Sequence, residues 1–244
     1  MRYALLADMH GNSIGLDAVL EDIQRHGGVD AYMLLGDYCV VGPDPVGVLE
    51  RLKSLPAVIC IGGNGDSVIA DVPFEHHVET NTSYSWTRGC VTQTGWYEWL
   101  TTLPLEQRLT LPDGTSLLAV HASPGNNNGD GLHPRQSDEA VQALFGMAEE
   151  SLILVGHTHL PQERRLNGQH IVNPGSIGNP LGADTRACYG ILDADESGYR
   201  ISLHRVTYDT TAVLRQLDQL HHPVPGYIST FYRGEFIPRW DRDS

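Results

Sequence analysis

The sequence predicts an α/β protein whose strands form a parallel sheet. Short apolar runs at residues 2–7, 31–35 and 57–61 have the length and composition of buried strands. Each run ends in a polar or glycine-rich loop, and a helical pattern follows each of the first two. Because strand, loop and helix alternate through the first quarter of the chain, neighbouring strands are expected to run parallel with helices between them.

Two helices are predicted between these strands. Ser13 can cap the first helix, whose apolar positions lead to Gly27-Gly28, a typical C-terminal stop. Asp44 can cap the second helix, and Pro45 takes its first position. The side chains of Ser13 and Asp44 can accept hydrogen bonds from the free N–H groups of a first helical turn, and Pro45 has no N–H group that needs a partner.

The rest of the chain is predicted to add a helical cover, a hairpin, further strands and a C-terminal helix. Asp113-Gly114 marks the turn of the hairpin. The elements lie at residues 72–103 (cover), 107–111 and 116–120 (hairpin), 152–155, 162–166, 169–172, 189–193 and 199–206 (strands) and 210–220 (helix). Residues 1–244 are interpreted as one domain with a C-terminal helix and an irregular tail from about residue 208.

Composition and charge exclude several classes of protein. Apolar residues make up 41% of the 244, and no run approaches the roughly 20 apolar residues of a membrane helix. Thirty acidic against 16 basic side chains give a net charge of −14, and Lys53 is the only lysine, so a nucleic-acid-binding surface is not expected. Without a signal-peptide core or a C-x-x-C pair among the four cysteines, we expect a cytoplasmic protein.

Side chains that can bind metal ions follow five of the predicted strands. They are Asp8, His10, Asp37, Asn64, His121, His157 and His159. Ligands bind at the carboxyl ends of strands in open α/β sheets, so we expect these side chains to converge. A single Asp-x-His or His-x-His pair is most often a cap or a core arrangement, but that explanation does not account for five such loops in succession.

Two of the loops have a period of two, in Asp8-x-His10 and His157-x-His159. In extended backbone, residues i and i+2 point to the same side, so each pair is expected to present two ligands together. Mixed nitrogen and oxygen donors without thiolate suit Mn, Fe or Zn. Seven donors exceed what one ion uses while leaving room for substrate, whereas two ions about 3.5–4 Å apart that share a carboxylate use them all.

These residues resemble the pattern of the calcineurin-like metallophosphoesterases, D-x-H … G-D … G-N-H-(D/E) … H … G-H-x-H. The matching segments are Asp8-Met9-His10, Gly36-Asp37, Gly63-Asn64, His121, Gly156-His157-Thr158-His159 and the loop Asn173-Pro174-Gly175-Ser176. The resemblance spans about residues 3–207 and looks closest to the small bacterial members of the family.

The resemblance implies a four-layer α-β-β-α sandwich of two mixed sheets with helices on both outer faces. It also implies two divalent ions, with Mn, Fe, Zn and Ni as candidates. Asp8, His10 and His159 would hold one ion, Asn64, His121 and His157 the other, and Asp37 would bridge them. A hydroxide between the ions would attack the phosphorus of a small phosphorylated molecule, which makes Asp37 and Asn64 catalytic candidates as well.

One position departs from the family pattern. The histidine that normally follows the asparagine, often taken as the acid for the leaving group, is Gly65 here, followed by Asp66. General acid catalysis contributes about 10²–10⁴-fold, so cleavage of esters with poor leaving groups is in question. Asp66 is a candidate catalytic residue, or it orients a water or a ligand histidine. His76 and His77 are alternative acids, although two solvated loop histidines are the simpler interpretation.

Several further residues have both a functional and a structural interpretation. Asn12 could contact phosphate or belong to a Gly-Asn turn, and the resemblance puts Ser176 beside the site. Arg186 could clamp phosphate or form a surface ion pair. Cys39 is expected to pack rather than to act as a redox switch, and the aromatic residues of 84–99 to fill a helical core rather than stack on a nucleobase.

Two other functions stay open from the sequence. A protein phosphatase would share the metal site but would need an open groove for a peptide chain. A scaffold of the same fold would need no catalysis, so the complete donor set argues against it while Gly65 argues weakly for it. A nuclease is disfavoured by the net charge of −14. The sequence does not indicate an oligomeric state.

Overall fold

The computed structural model describes residues 1–72 and 77–238, and within these ranges it contains ten strands and eight helices. The strands are β1 (Arg2–Leu6), β2 (Ala31–Leu34), β3 (Ala57–Cys60), β4 (Glu106–Thr110), β5 (Ser116–Val120), β6 (Leu152–Leu154), β7 (Gln162–Leu166), β8 (Gln169–Asn173), β9 (Ala187–Asp195) and β10 (Gly198–Val206). The helices are α1 (Ser13–Arg25), α2 (Pro45–Lys53), α3 (Asn64–Ser67), α4 (Val78–Gln93), α5 (Tyr97–Thr101), α6 (Asp138–Phe145), α7 (Thr210–Gln219) and α8 (Pro225–Tyr232).

The strands form two five-stranded mixed sheets. The first sheet has the order β10-β9-β1-β2-β3, in which β1, β2 and β3 are parallel and β9 is antiparallel to β1. The second sheet has the order β4-β5-β6-β8-β7, in which β5, β6 and β8 are parallel and antiparallel strands form both edges. The helices α1 and α2 connect parallel neighbours, which confirms the predicted α/β class.

Alternating side chains of the first strand separate two apolar cores. Tyr3, Leu5 and Ala7 belong to the core between the two sheets, whereas Ala4 and Leu6 belong to the core between the first sheet and the helices. This division follows from the pleat, because successive side chains of a strand point to opposite faces. Both faces of β1 are covered, so the strand is a continuous apolar run with no polar face.

The cores define four layers. Met33 and Leu192 of the first sheet pack with Leu117 and Leu154 of the second, and this cluster holds the sheets together. The outer core of the first sheet includes side chains of α1, α2, α4, α7 and α8, and α6 packs on the outer face of the second sheet. The four-layer sandwich predicted from the resemblance is therefore confirmed. Within the described ranges, the model has no helix with the length and apolarity to cross a membrane.

The first helix begins differently from the sequence prediction. Asn12, not Ser13, is its N-cap, and the Asn12 side-chain oxygen accepts a hydrogen bond of 2.8 Å from the Gly15 N–H. The Ser13 hydroxyl instead donates to the Asp44 carboxylate at 2.6 Å. Asp44 also caps α2, with Pro45 at the first position, as predicted. Asn12 thus has a structural role at the start of α1.

Three helices are absent from the sequence prediction. No element was predicted for α3 or α6, and the segment containing α8 was predicted to be irregular. In α8, Pro225 opens the helix, and Ile228, Phe231 and Tyr232 are buried with the i, i+3, i+4 spacing of one helical face. Three prolines between residues 223 and 238 obscure this short periodicity, since prolines usually mark loops.

The segment between α7 and α8 gives a prediction for the pH dependence of stability. His222 is buried against Trp86, with ring centroids 4.5 Å apart, and burial lowers the pKa of His222 to about 4. The fold therefore favours the neutral ring, so its stabilisation is complete above the unfolded pKa of about 6.5 and is lost as pH falls towards 4. Between these pKa values the loss approaches about 1.4 kcal/mol per pH unit.

We expect His222→Asn to reduce the dependence of thermal unfolding on pH between 6.5 and 4. An asparagine oxygen can replace the ring nitrogen that accepts a hydrogen bond from the Val224 N–H. The control is His221→Asn, since His221 is exposed and has a left-handed backbone that asparagine tolerates. Parallel acid profiles for wild type and His222→Asn would contradict the assignment.

Candidate metal centre

The seven predicted metal donors converge at one place in the sandwich. Asp8 and His10 follow β1, Asp37 follows β2, and Asn64 begins α3 just after β3. The second sheet contributes the residues that follow β5 and β6, which are His121, His157 and His159. The carboxyl ends of five strands, three from one sheet and two from the other, therefore meet at this site.

One group of donors surrounds the first possible ion position. The ligand atoms of Asp8, His10, Asp37 and His159 lie within 4.8 Å of one another. The His159 Nε2 atom is 3.3 Å from Asp8 Oδ1, and the His10 Nε2 atom is 3.5 Å from Asp37 Oδ2. Two carboxylates and two imidazoles at this spacing are donors that divalent transition metals use.

A second group adjoins the first through Asp37. The Asn64 side-chain oxygen lies 2.8 Å from His157 Nδ1 and 3.2 Å from His121 Nε2. The His121 Nε2 atom is 3.5 Å from Asp37 Oδ1. Asp37 therefore has one carboxylate oxygen near each group, which is the arrangement that a bridging ligand requires.

The backbone at the donors is left-handed. The φ angles are 53° at Asp8, 45° at His10, 55° at Asp37, 70° at His157 and 63° at His159. The extended backbone expected for the two period-two pairs is therefore wrong, although both pairs do converge. Non-glycine residues rarely adopt positive φ, and clusters of such residues occur where function imposes a geometry.

Backbone carbonyl groups orient all four histidine rings. In each case the nitrogen turned away from the donor cluster hydrogen-bonds to a carbonyl oxygen. The pairs are His10 Nδ1 with Val40 at 2.7 Å, His121 Nδ1 with Leu35 at 2.7 Å, His159 Nδ1 with Asn179 at 2.7 Å and His157 Nε2 with Gly129 at 2.9 Å. A ring nitrogen that donates to a carbonyl leaves the other nitrogen free for a metal ion.

Burial and mutual contacts shift the pKa values of the site in opposite directions. Burial raises the pKa of Asp37, but the neighbouring His121 and His10 outweigh burial and hold that pKa below its ordinary value. Burial lowers the pKa of His121, but Asp37 and Asp8 raise it to about 10. Burial and His121 lower the pKa of His157 to about 4. A cation at this site would replace the proton that His121 otherwise holds against the carboxylates.

Asp66 lies behind the donors and does not line the cavity in front of them. Its carboxylate is fully buried and accepts hydrogen bonds from the N–H groups of Asp37 (2.8 Å), Tyr38 (3.0 Å) and Gly63 (2.9 Å). Burial, reinforced by the Asp37 charge, raises the pKa of Asp66 to about 7. These contacts point to positioning rather than to the direct catalytic role predicted for Asp66.

Gly65 is held closely between two side chains. Its N–H donates to Asp37 Oδ1 at 2.7 Å. A Cβ atom at this position would lie 2.3 Å from Val40 Cγ2 and 2.9 Å from Asp37 Oδ1. Val40 therefore occupies the space that any side chain at position 65 would enter. His77 is exposed and precedes α4 without lining the cavity, and His76 lies outside the described residues.

The other candidates support the site or lie elsewhere. The Ser176 hydroxyl donates to the Asp8 carbonyl oxygen at 2.8 Å and holds that loop. Arg186 forms an exposed ion pair with Asp184 at 2.7 Å and does not line the cavity. Cys39 is fully buried, and burial raises the pKa of its thiol, as expected for a packing residue.

A cavity of about 390 Å³ opens in front of the donors. Of the aromatic residues in 84–99, Tyr84 lines this cavity, whereas Trp96 and Trp99 pack edge to face with ring centroids 5.6 Å apart. The other wall of the cavity was not predicted from the sequence. Its residues include Asn128, Asn179, Leu181, Tyr227, Phe231 and Phe236. The i, i+4 aromatic pair in α8 is the one signal that could have indicated part of this wall.

Comparisons with known proteins agree with this architecture. Residues 1–197 match the family model of the calcineurin-like phosphoesterase superfamily domain. The protein MJ0912 of Methanocaldococcus jannaschii is 26% identical over 84% of this chain and 87% of its own length. The phosphodiesterase YfcE of Escherichia coli is 26% identical over 80% of this chain and 89% of its own.

A solved structure extends the likeness to nearly the whole chain. The metallophosphoesterase from Sphaerobacter thermophilus superimposes with a TM-score of 0.78 at 26% identity, covering 96% of this chain and 99% of that one. The family model covers well over half of the 244 residues. The chain therefore belongs to the calcineurin-like phosphoesterase superfamily and is a hydrolase of phosphoric esters.

Proposed function

We propose that this chain is a dinuclear metal-dependent phosphoesterase that acts on a small phosphorylated molecule. The observation that carries the proposal is the position of Asp37, whose two carboxylate oxygens face two separate groups of donors. Asp8, His10 and His159 would complete one group, and the other would consist of the residues Asn64, His121 and His157. The donor types suit Mn, Fe, Zn or Ni.

The side chains supply orientation and charge for the reaction. When bound, divalent cations would lower the pKa of a water at the site and would neutralise charge on phosphoryl oxygens. The carbonyl contacts of the four histidines fix ring orientation before any ion binds, so little reorganisation is needed on loading. The Asp66 carboxylate accepts hydrogen bonds from the N–H groups of Asp37 and Gly63. These bonds keep Asp37, the proposed bridging ligand, in place.

The free thiols, the cavity walls and the net charge bear on where the protein acts and on the alternative functions. All four cysteines are free thiols, which supports a reducing compartment such as the cytoplasm. A protein phosphatase is less well supported, because α4, α8 and the chain after α8 wall the cavity where a peptide would need an open groove. A scaffold would not need all seven donors, so their presence argues against that function. The net charge of −14 disfavours nucleic acid as a substrate.

The first test is the substitution Asp37→Asn. Removing the shared negative charge is expected to reduce bound Mn²⁺ from two ions per chain and to lower turnover of bis-p-nitrophenyl phosphate by roughly 100-fold or more. Metal content is measured by plasma mass spectrometry on the protein used for kinetics. Asp218→Asn, at an exposed site on α7, is the matched control. Two retained ions with undiminished turnover would overturn the bridging role.

The second test concerns the competition between protons and metal ions for His121. Because the pKa of His121 is raised to about 10 in the metal-free site, metal binding at neutral pH is expected to release a proton from this ring. Acidification then opposes binding, so Mn²⁺ affinity and activity should fall together between pH 7 and 5. Calorimetry in two buffers of different ionisation enthalpy counts the protons released. Binding without proton release, or activity at pH 5 without bound metal, would contradict the assignment.

The third test concerns the leaving group. Without a histidine at position 65, rates are expected to fall steeply as the pKa of the leaving group rises. Gly65→His alone should not restore an acid, because its Cβ would clash with Val40. In the double variant Val40→Ala/Gly65→His, the dependence should flatten, with a gain of up to about 10²-fold for alkyl esters.

The control for this test is Val40→Ala, which makes space without adding an imidazole. It keeps the Val40 carbonyl oxygen that orients His10. Metal content and thermal stability are compared for all three variants. Equal rates for alkyl and aryl esters in the wild type would mean that another acid acts, and His76 and His77 would be replaced next.

A further inference from the structure

The chain beyond α7 forms one wall of the cavity in front of the donors. Tyr227 and Phe231 of α8 line it, together with Phe236 and Pro238 of the segment that follows. All four lie outside residues 1–197, which the family model matches. This wall is therefore an addition to the part of the chain that carries the metal donors.

The aromatic rings of this wall are packed in a fixed arrangement. Phe231 contacts Tyr227 edge to face, with ring centroids 5.4 Å apart, and stacks on Phe236 at 4.4 Å. The Gly182 N–H donates to the Phe236 carbonyl oxygen at 2.9 Å, which anchors the segment after α8. Because the rings are already held in place, these side chains lose little conformational entropy when a ligand packs on them.

Tyr227 and Phe236 are the members of this cluster that keep partial exposure. Phe231 is almost completely buried and supports them from behind. From α4, Tyr84 and Thr80 line the same cavity, and the Thr80 hydroxyl lies 3.5 Å from the Tyr227 hydroxyl. Planar surfaces thus border the cavity from two helices, a geometry that favours a flat ligand group.

The charge distribution limits how many phosphate groups fit. Among residues 1–72 and 77–238, no lysine or arginine lines the cavity. With Asp8 and Asp37 ionised and a hydroxide present, two divalent cations would leave a net charge of about +1 at the donors, which favours one phosphoryl group over several. Further phosphates would lie against aromatic rings without a partner, which is costly. The lining formed by residues 1–72 and 77–238 therefore favours an uncharged group in the part of the substrate away from the donors.

The cavity lining also includes a buried polar side chain close to the donors. Asn179 lines the cavity and is 4% exposed, and its side-chain oxygen has no hydrogen-bond partner among the described residues. Buried acceptors are nearly always satisfied, by protein, water or ligand. Its backbone carbonyl orients His159, so the side chain lies close to the donors.

We propose that the segment from α8 to Pro238 makes this enzyme selective for esters that join one phosphoryl group to an uncharged, planar aromatic group, with Tyr227 and Phe236 packing on that group. The proposal rests on the proposed function for the position of the phosphoryl group. It names a substrate class that excludes polyphosphates and simple alkyl phosphates.

The test compares ligands that differ only in the organic group. Benzylphosphonate, cyclohexylmethylphosphonate and ethylphosphonate are titrated into the Mn²⁺-loaded protein by calorimetry. The cyclohexylmethyl group matches the benzyl group in size but is not planar. Benzylphosphonate is expected to bind about 10-fold or more tightly than either of the others. In parallel, kcat/KM is measured for benzyl phosphate and ethyl phosphate, whose leaving groups are alkoxides of similar basicity.

The variants separate ring stacking from general apolarity. The double variant Tyr227→Leu/Phe236→Leu keeps an apolar wall but removes its two partly exposed rings, and should bring benzyl- and cyclohexylmethylphosphonate to within about 3-fold of each other. Tyr227→Phe keeps the ring and should retain the wild-type preference. Unchanged metal content and thermal unfolding show that each variant is folded and loaded.

The outcomes distinguish this proposal from the proposed function. Equal wild-type affinities for the three phosphonates would overturn the selectivity, without any variant being needed. A preference that survives in the double variant would overturn the role of Tyr227 and Phe236. If benzylphosphonate is preferred and the rings are required, but no ester is hydrolysed, the pocket assignment stands and the proposed function fails.

Discussion

The site depends on one buried carboxylate that is not itself a metal donor. The Asp66 carboxylate accepts hydrogen bonds from the N–H groups of Asp37, Tyr38 and Gly63. It thereby joins the loop after β2 to the loop after β3. These contacts keep Asp37 in a left-handed conformation, with its oxygens between two groups of donors. The second sheet is joined to the same point by His121, whose Nδ1 atom hydrogen-bonds to the Leu35 carbonyl oxygen at 2.7 Å.

The strands and the convergence of the seven candidate donors could be predicted from the sequence because both signals are local. Apolar runs mark buried strands, and polar residues directly after them mark the sheet edge. The explanation by extended alternation was wrong at Asp8 and His10, because positive φ values depend on packing by neighbouring loops. Asn12 rather than Ser13 caps α1 for a similar reason, since Asp44 of another helix engages the Ser13 hydroxyl.

The cavity wall could not be predicted from the sequence. Tyr227 and Phe236 lie more than 60 residues from the last metal donor, and no local pattern places them beside it. Likewise, the antiparallel placement of β9 next to β1 is a long-range pairing that strand patterns do not encode. The metal donors belong to a motif whose order along the chain is readable, whereas the wall is assembled only in the folded state.

The left-handed backbone at five donors places stability and activity in conflict. Each such non-glycine residue costs about 1–2 kcal/mol relative to an ordinary conformation, a considerable share of a domain's net stability. Glycine at these positions would relieve the strain and simultaneously remove the donor. A selection that scores only heat resistance in the absence of metal would therefore act against this centre, and engineering for robustness must hold these five positions fixed.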